Sequence, residues 1–314
     1  MQSQATKFDA LNLHKANFDS IYELPDPREY FRVLAGLDYI IPDLARNVFR
    51  SLIEHRGQEQ ERPVTVLDVG CSFGINEALI RYPIDLQRLA GRYAGPQIYA
   101  LEPEDLVALD RDYFRSWPEV TDARFVGLDI SPAAIAYGTA VGLLDAGITA
   151  NLERVTPVGP ECAVLREIDL IISTGCVGYT SEKTFRNILQ TYGGRPVPWV
   201  ACFVLRMFPY DAIAAELSRF GLVTEKLEGV TFVQRRFHSE HEMAVTLDRL
   251  RARGIDSTGK EGEGLFHAEL YVSRPEAAAR RAPLGEIVSV TRGASRPYGR
   301  RYRQFGQDEI KLMP

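Results

Sequence analysis

The stretch that decides the fold is VTVLDVGCSFG, residues 64–74. Residues 64–69 form a continuous, mostly apolar and β-branched run, which is typical of a strand buried on both faces of a parallel sheet. The run ends at Gly70, and INEALIRY, residues 75–82, has a helical composition. Glycine adopts backbone conformations closed to residues with a Cβ atom and lets a ligand approach the main chain. The stretch therefore predicts a strand, a ligand-binding turn and a helix.

Strand-like and helix-like segments alternate along the rest of the chain, which indicates a parallel sheet with helices on both faces. The segments that we expect to form strands are residues 64–69, 124–130, 151–155, 169–174, 199–208, 230–237 and 265–273. We therefore expect an α/β fold with a doubly wound, seven-stranded, mostly parallel sheet. The last two strands are joined by a longer connection, which allows one antiparallel strand at an edge.

The chain divides by composition into three parts. Residues 1–60 predict an N-terminal helical segment, residues 61–274 the sheet domain and residues 275–314 a basic C-terminal arm. The arm carries eight Lys or Arg against four acidic residues, and we expect it to contact a second copy of the chain in a homodimer. Residues 86–123 form a helical insert within the sheet domain, which we expect to cover the site as a lid.

Composition excludes several classes of protein. The formal net charge of −5 argues against a nucleic-acid partner, because such binding depends on contacts to phosphates. The four cysteines contain no CxxC pair, so no metal site is predicted. No apolar run is long enough for a membrane span, and the first residues do not resemble a targeting signal. We therefore expect a cytoplasmic protein without a membrane partner.

A second motif follows the glycine turn. VGLDIS, residues 126–131, places Asp129 at the end of a strand and Ser131 at the start of a helix. A carboxylate in this position can accept both hydroxyl hydrogens of a ribose. The turn reads G-x-x-x-G rather than the dinucleotide pattern G-x-G-x-x-G, and the sequence contains no GK[ST] phosphate loop. These two differences argue against a nicotinamide-dependent oxidoreductase and a P-loop ATPase.

Three segments together resemble the motifs of class I S-adenosylmethionine-dependent methyltransferases. They are LDVGCSFG (67–74), GLDIS (127–131) and DLIISTGCVGY (169–179), and the similarity extends over about residues 60–275. The resemblance implies S-adenosylmethionine as the cofactor and a small molecule as the substrate.

Residue by residue, the resemblance implies the following contacts. The methionine part of the cofactor would contact Gly70, Cys71, Ser72 and Gly74, with Asp68 helping to fix it. Asp129 would hold the ribose and Ile130 would lie against the adenine. The methyl-transfer pocket would be lined by Thr174, Gly175 and Cys176. The insert also contains Glu102, a rival for the ribose carboxylate, but Asp129 is favoured because a strand precedes it and a capped helix follows.

The acceptor is expected to be a small-molecule carboxylate or hydroxyl. A carboxylate needs no base but needs a cationic anchor, for which Arg206 and Arg235 are candidates by strand position. A neutral hydroxyl would need a base, for which His267 is the candidate. Tyr179 could orient the substrate, as could Tyr22, Tyr30 and Tyr210.

Two alternatives stay open beside O-methylation. The chain could methylate nitrogen in a small metabolite, or it could be a scaffold that binds the cofactor without turnover. The segment STGCVGY, residues 173–179, lacks the D/N-P-P-Y/F pattern of DNA amino-methylating enzymes, which again argues against a nucleic-acid substrate.

Overall fold

A computed structural model describes residues 19–288, 290, 302–305 and 309–312. The predicted N-terminal segment before residue 19 and most of the basic arm after residue 290 lie outside the described residues. The helices, numbered in chain order, are α1 (Asp19–Tyr22), α2 (Arg28–Ala35), α3 (Ile41–Gly57), α4 (Ile75–Arg81), α5 (Leu86–Tyr93), α6 (Pro96–Tyr99), α7 (Pro103–Arg115), α8 (Pro132–Ala140), α9 (Pro160–Leu165), α10 (Glu182–Leu189), α11 (Asp211–Ser218), α12 (Glu240–Ala252), α13 (Glu276–Arg281) and α14 (Leu284–Ile287). The strands are β1 (Thr65–Val69), β2 (Arg124–Asp129), β3 (Ala146–Thr149), β4 (Leu170–Thr174), β5 (Trp199–Leu205), β6 (Leu222–Lys226), β7 (Thr231–Arg236), β8 (Leu265–Pro275), β9 (Tyr302–Phe305) and β10 (Glu309–Leu312).

The strands form one mixed sheet in the order β3-β2-β1-β4-β5-β8-β7-β10-β9, and β6 also pairs with β8. Strands β1 to β5 run parallel to one another, whereas β8, on the other side of β5, runs antiparallel to it. The order of the strands reverses between β1 and β4, which is where open α/β sheets bind ligands. The predicted doubly wound, mostly parallel α/β sheet is confirmed.

The far side of the sheet differs from the sequence prediction in two ways. Strand β8 lies inside the sheet rather than at an edge, because β6 pairs with its residues 271–275 and β7 with its residues 265–268. The sequence missed β6, and β9 and β10 extend the sheet beyond β7, so the sheet exceeds seven strands. The arm thus adds strands to the sheet of its own chain, and its role in a homodimer stays a prediction.

The third strand lies earlier than the sequence predicted. Residues 146–149 pair with residues 126–129 of β2, whereas the predicted strand at 151–155 lies in the loop that follows. Helix α8 begins as expected, with Ser131 Oγ accepting a hydrogen bond from Ala134 N at 3.1 Å. It ends at Ala140, which leaves residues 146–149 available for pairing with β2.

Apolar layers cover both faces of the central strands. On one face, Phe49 of α3 meets Phe203 of β5 edge-on, with ring centroids 5.4 Å apart. On the other face, Phe185 of α10 is fully buried in the cluster that contains Leu67 of β1. Burial on both faces explains why β1, β4 and β5 are apolar without alternation. Among the described residues, no helix is long and apolar enough to cross a membrane.

The insert is helical, as predicted, but it does not form a lid. Residues 86–123 are all described, and none of them lines the central cavity. Instead the insert supports α2, which does line the cavity. Tyr93 of α5 stacks on Phe31 of α2 with ring centroids 4.7 Å apart. Arg28 also donates to the carbonyl oxygens of Ile98 at 3.1 Å and Leu101 at 2.8 Å.

A buried carboxylate holds the insert to the sheet domain. Asp110 of α7 is 0% exposed and accepts hydrogen bonds from Tyr93 Oη at 2.9 Å and Tyr137 Oη at 2.7 Å. Arg92 Nε donates to the same carboxylate at 2.8 Å. Helices α5, α7 and α8 therefore meet at one carboxyl group that three side chains contact.

We expect Asp110→Ala to lower the free energy of unfolding by about 3–5 kcal/mol, because the change leaves Arg92 and two tyrosine hydroxyls without their buried acceptor. Urea denaturation measures the loss. The matched control is Asp112→Ala, an exposed aspartate of the same helix, whose effect should stay within about 0.5 kcal/mol. Equal losses in the two variants would contradict the role of Asp110.

Candidate functional site

One cavity lies at the carboxyl ends of β1, β2 and β4, where the strand order reverses. Its volume is about 660 Å³. The floor comes from residues that follow these strands, and residues 22–42 of the N-terminal helices contribute the opposite wall. Residues that follow β3 and residues 234–235 of β7 complete it. The position agrees with the general rule for ligand sites in doubly wound sheets.

The turn after β1 is packed closely against the turn after β4. Gly70 has a φ of +81°, and a Cβ atom there would lie 2.7 Å from Cys176 Sγ. Any side chain at this position would therefore push the two turns apart. Ser72 also has a positive φ, of 52°, and its Oγ is buried without a hydrogen-bond partner among the described residues. Gly74 then precedes the first residue of α4.

Asp129 connects the first two strand ends. Its Oδ2 accepts a hydrogen bond from Ser72 N at 2.9 Å, and its Oδ1 accepts one from Ser131 N at 2.9 Å. The next residue, Ile130, lines the cavity with a side chain that is 69% exposed. The rival carboxylate, Glu102, is the exposed residue before α7 and does not line the cavity.

The turn after β4 forms another part of the wall. Thr174, Gly175 and Cys176 line the cavity, and the 45% exposed Tyr179 lies at its mouth. Thr174 Oγ1 accepts a hydrogen bond from Asn76 Nδ2 at 3.0 Å. The cavity wall thus contains most of the residues that the motifs indicated: Gly70, Cys71, Ser72, Asp129, Ile130, Thr174, Gly175 and Cys176. Asp68 and Gly74, which the motifs also indicated, do not line it.

The structure does not bring Arg206 or His267 to this cavity. Arg206 pairs with Glu261 at 2.5 Å and donates to Asp256 O at 2.7 Å. His267 is 0% exposed within β8, and its Nδ1 lies 3.1 Å from Thr231 Oγ1. Neither residue lines the cavity. The structure therefore places the predicted anchor Arg206 and the predicted base His267 outside this cavity, because strand position alone does not set where a side chain points.

Arg235 does line the cavity, but its guanidinium is already paired. Nη2 lies 2.7 Å and Nη1 3.0 Å from the carboxylate oxygens of Glu242 on α12. Both side chains are 3% exposed, and the guanidinium stacks 4.8 Å from the ring centroid of Phe266. The Glu242 carboxylate therefore already neutralises Arg235, which is the one predicted anchor residue that lines the cavity.

A tyrosine cluster faces the strand ends across the cavity. The ring of Tyr30 meets Tyr22 and Tyr39 edge-on, with centroid distances of 6.0 and 6.2 Å. Removal from water raises the pKa of Tyr22 and Tyr30 well above the usual value, so both phenols stay neutral. The sequence suggested Tyr22 and Tyr30 as orienting residues but missed Tyr39, which lies in the connection between α2 and α3.

Two carboxyls lie buried beneath the turn. Asp68 and Glu77 are both 0% exposed, and Asn76 Nδ2 donates to Asp68 Oδ2 at 2.7 Å. Burial raises the pKa of Asp68 to about 7 and raises that of Glu77 well above its usual value. Asp68 further raises the pKa of Glu77, and Arg81 lowers it. Hydrogen bonds from Asn76 and Glu77 lower the pKa of Asp68, and the charge of Asp129 raises it.

The two carboxyls lie within hydrogen-bonding reach of each other. With both ionised, Asp68 Oδ1 and both Glu77 oxygens have no hydrogen-bond donor among the described side chains. A shared proton supplies the missing donor, so we conclude that the pair holds at least one proton near neutral pH. The sequence indicated Asp68 as a cofactor residue but did not identify Glu77, because an acid at the start of a helix is usually exposed.

Comparison with known proteins adds little beyond the fold. Neither the protein-family models nor the curated proteins compared with the chain give a match. The solved structures that resemble it include the [4+2]-cyclase SpnF, with 12% identity over 82% of this chain and 94% of that chain and a TM-score of 0.38. Another is the plantazolicin methyltransferase BpumL in complex with a pentazolic desmethylPZN analog and SAH, with 11% identity, coverages of 86% and 99%, and a TM-score of 0.38.

A third is a precorrin-6y C5,15-methyltransferase from Geobacter metallireducens, with 8% identity, coverages of 77% and 95%, and a TM-score of 0.36. Two of these three are methyltransferases by name. With identities and TM-scores this low, the likenesses carry no argument about activity. The assignment of the α/β fold rests on the strand order of this chain.

We expect Glu77→Gln to flatten the pH dependence of stability. The raised pKa values of the pair mean that the folded chain binds more protons than the unfolded chain between about pH 4 and pH 7, so stability falls as the pH rises through this range. A glutamine amide donates to Asp68 without needing a proton from solvent. The fall between pH 5 and pH 8 should therefore shrink by about 1 kcal/mol or more.

Urea denaturation at the two pH values measures this difference. Glu104→Gln, the same change at an exposed position on α7, is the control and should follow the wild-type pH dependence. The shared proton is ruled out if Glu77→Gln also follows the wild-type dependence.

Proposed function

We propose that this chain is an S-adenosylmethionine-dependent methyltransferase that acts on the oxygen of a small molecule. The observation that carries the proposal is the hydrogen bond of 2.9 Å between Ser72 N and the Asp129 carboxylate. It joins the glycine turn and the ribose-type acid in one cavity at the point where the strand order reverses. Ser72 and Asp129 are 57 residues apart in the sequence, and only the fold brings them together.

The residues at successive strand ends are suited to the methionine, ribose and adenine parts of the cofactor. Gly70, Cys71 and Ser72 line the cavity beside the carboxyl end of β1, and Gly70 has no side chain of its own to keep the methionine end from its main chain. Asp129 keeps lone pairs for ribose hydroxyls beside its two main-chain donors. The exposed Ile130 offers an apolar surface to the adenine.

Bound S-adenosylmethionine supplies an electrophilic methyl group, so the chain needs no metal or covalent intermediate for the transfer. The work of the protein is to hold the acceptor oxygen in line with that methyl and to keep water out. Thr174, Gly175 and Cys176 line the cavity beside the turn, where we place the transfer. Tyr22, Tyr30 and Tyr39 cover it from the N-terminal helices.

The charges of the cavity favour a hydroxyl over a carboxylate as the acceptor. Among the described residues, Arg154 and Arg235 are the basic side chains in the wall. Arg154 is exposed, and Arg235 is held in the ion pair with Glu242. An anionic acceptor could gain Arg235 as a partner only by breaking this buried ion pair, which is costly, and an ion pair with the exposed Arg154 would contribute little.

We expect Asp129→Ala to weaken the binding of S-adenosylhomocysteine at least tenfold. The change removes charge-assisted hydrogen bonds to the ribose and also loosens the turn at Ser72. Isothermal titration calorimetry measures the Kd. Glu102→Ala, which removes the rival carboxylate outside the cavity, should leave the Kd within about twofold, because an exposed side chain at that distance contributes little.

Three outcomes distinguish an error in the cofactor assignment from an error in the ribose contact and from a lack of turnover. If the wild-type chain binds neither S-adenosylmethionine nor S-adenosylhomocysteine, the proposed function is wrong. An unchanged Kd in Asp129→Ala would contradict the ribose assignment alone. Cofactor binding without methylated product from a panel of small hydroxyl compounds, followed by mass spectrometry, would indicate a non-catalytic scaffold.

A further inference from the structure

The acid pair, Asp68 and Glu77, is connected to the cavity by one side-chain amide. Both acids are 0% exposed and do not line the cavity, so no ligand touches them. Asn76 does line it, and its Nδ2 donates to Asp68 Oδ2 at 2.7 Å and to Thr174 Oγ1 at 3.0 Å. Thr174 belongs to the part of the wall where we place the methyl transfer. A charge at that place therefore acts on the acid pair across a single amide group.

Few charged side chains act on the acid pair from outside it. On α4, Arg81 lowers the pKa of Glu77, but Arg81 Nη2 is already paired with Asp145 at 2.8 Å. At the end of β2, the charge of Asp129 raises the pKa of Asp68. Among the described residues, Arg81 is thus the cation that acts on the pair, and its charge is shared with another carboxylate.

The other ionisable neighbours of the acid pair are neutral. Burial raises the pKa values of two thiols and two phenols whose ionisation the pair also opposes, namely those of Cys71, Cys202, Tyr30 and Tyr39. These four groups therefore carry no charge near neutral pH. The electric field at the pair is set by Arg81, Asp129 and any charge that a ligand brings into the cavity.

The proton content of the acid pair responds to such a charge near neutral pH. Burial raises the pKa of Asp68 to about 7, so a small change in the field changes how many protons the pair holds. Charges interact strongly in a buried site because little water screens them. S-adenosylmethionine carries a positive sulfonium, whereas the sulfur of its product S-adenosylhomocysteine is neutral. Donor and product therefore differ in the charge that they present to the pair.

We propose that the acid pair is the counter-charge of the methyl donor. It releases a proton to solvent when S-adenosylmethionine binds, and it takes one back after the methyl group has left. Asp68 and Glu77 are thus positioning residues that favour donor over product, and this preference grows as the pH rises. The inference rests on the proposed function, because it requires the sulfonium to bind in this cavity.

The protons and electrons balance over one turnover. In the transfer, the bond between methyl carbon and sulfur breaks, and its electron pair stays on sulfur, which becomes neutral. The acceptor oxygen forms the new bond to carbon and loses its proton to solvent. The acid pair then regains from solvent the proton that it released on binding. The net product besides the two molecules is the one proton of the acceptor.

Calorimetric titration of the full chain with both ligands at pH 5.5 and pH 7.0 tests this coupling. A ligand whose binding releases protons binds more tightly as the pH rises. We expect the ratio of the Kd of S-adenosylhomocysteine to the Kd of S-adenosylmethionine to rise about threefold or more, which corresponds to an average release of about one third of a proton. Both pH values lie below the ionisation of the α-amino group that the two ligands share, at about pH 8.

A variant with a matched control assigns the effect to the acid pair. Glu77→Gln has no acid proton to release at this position, so its Kd ratio should change less than about 1.5-fold between the two pH values. Its Kd for S-adenosylhomocysteine at pH 7.0 should stay within about threefold of the wild-type value, which shows that the variant is folded. Glu104→Gln, the same change at an exposed position outside the cavity, should keep the wild-type pH dependence.

If Glu77→Gln does not fold, Asp68→Asn replaces it, because its amide oxygen can still accept from Asn76. The inference is overturned if the wild-type chain shows the same pH dependence for both ligands, since that would point to their shared α-amino group. It is also overturned if the folded variant keeps the wild-type change in the ratio. A wild-type chain that binds neither ligand would instead contradict the proposed function, so the two failures are distinguishable.

Discussion

The site depends on the absence of a side chain at Gly70. With a Cβ atom there only 2.7 Å from Cys176 Sγ, the turns after β1 and β4 could not pack together. Because they do pack, the main chain at 70–72 stays close to the end of β2, and Ser72 N reaches the Asp129 carboxylate at 2.9 Å. One missing methyl group therefore permits three strand ends to surround a common cavity.

The opposite wall is held in place by contacts that lie outside the cavity. Ser131 Oγ donates to the main-chain oxygen of Tyr22 at 2.5 Å, which ties the first described helix to the end of β2. The insert holds α2 from behind through the stacked rings of Phe31 and Tyr93. Asp110 in turn fixes Tyr93. The insert thus affects the site indirectly, by positioning the helices that bear the tyrosines.

Ionisable side chains near the site mostly satisfy each other. Arg235 pairs with Glu242, and Asp68 and Glu77 share a proton beneath the turn. Buried charges need partners because desolvation is expensive, so these groups are not available to a ligand without cost. Arg154, the other basic side chain of the described wall, is exposed to solvent, where an ion pair contributes little. This balance is the physical basis for proposing an uncharged acceptor.

The sequence alone determined the features that depend on neighbouring residues. The strand and turn at 64–74, the placement of Asp129 after β2, and the cap at Ser131 all follow from local backbone preferences and side-chain chemistry. The preference for Asp129 over Glu102 also agrees with their placement, because a carboxylate at a strand end lies where parallel strands meet.

Only the tertiary structure decided which distant side chains reach the cavity. Arg206 and Gln234 both lie at or after strands on the same side of the sheet, yet Arg206 pairs with Glu261 outside the cavity, and Gln234 is turned inward by a bulge. A bulge adds one residue and reverses the direction of the side chains that follow it, and no local pattern in TFVQRR reports it. Contacts between residues far apart in the chain set these positions, so the acceptor wall could not be read from the sequence.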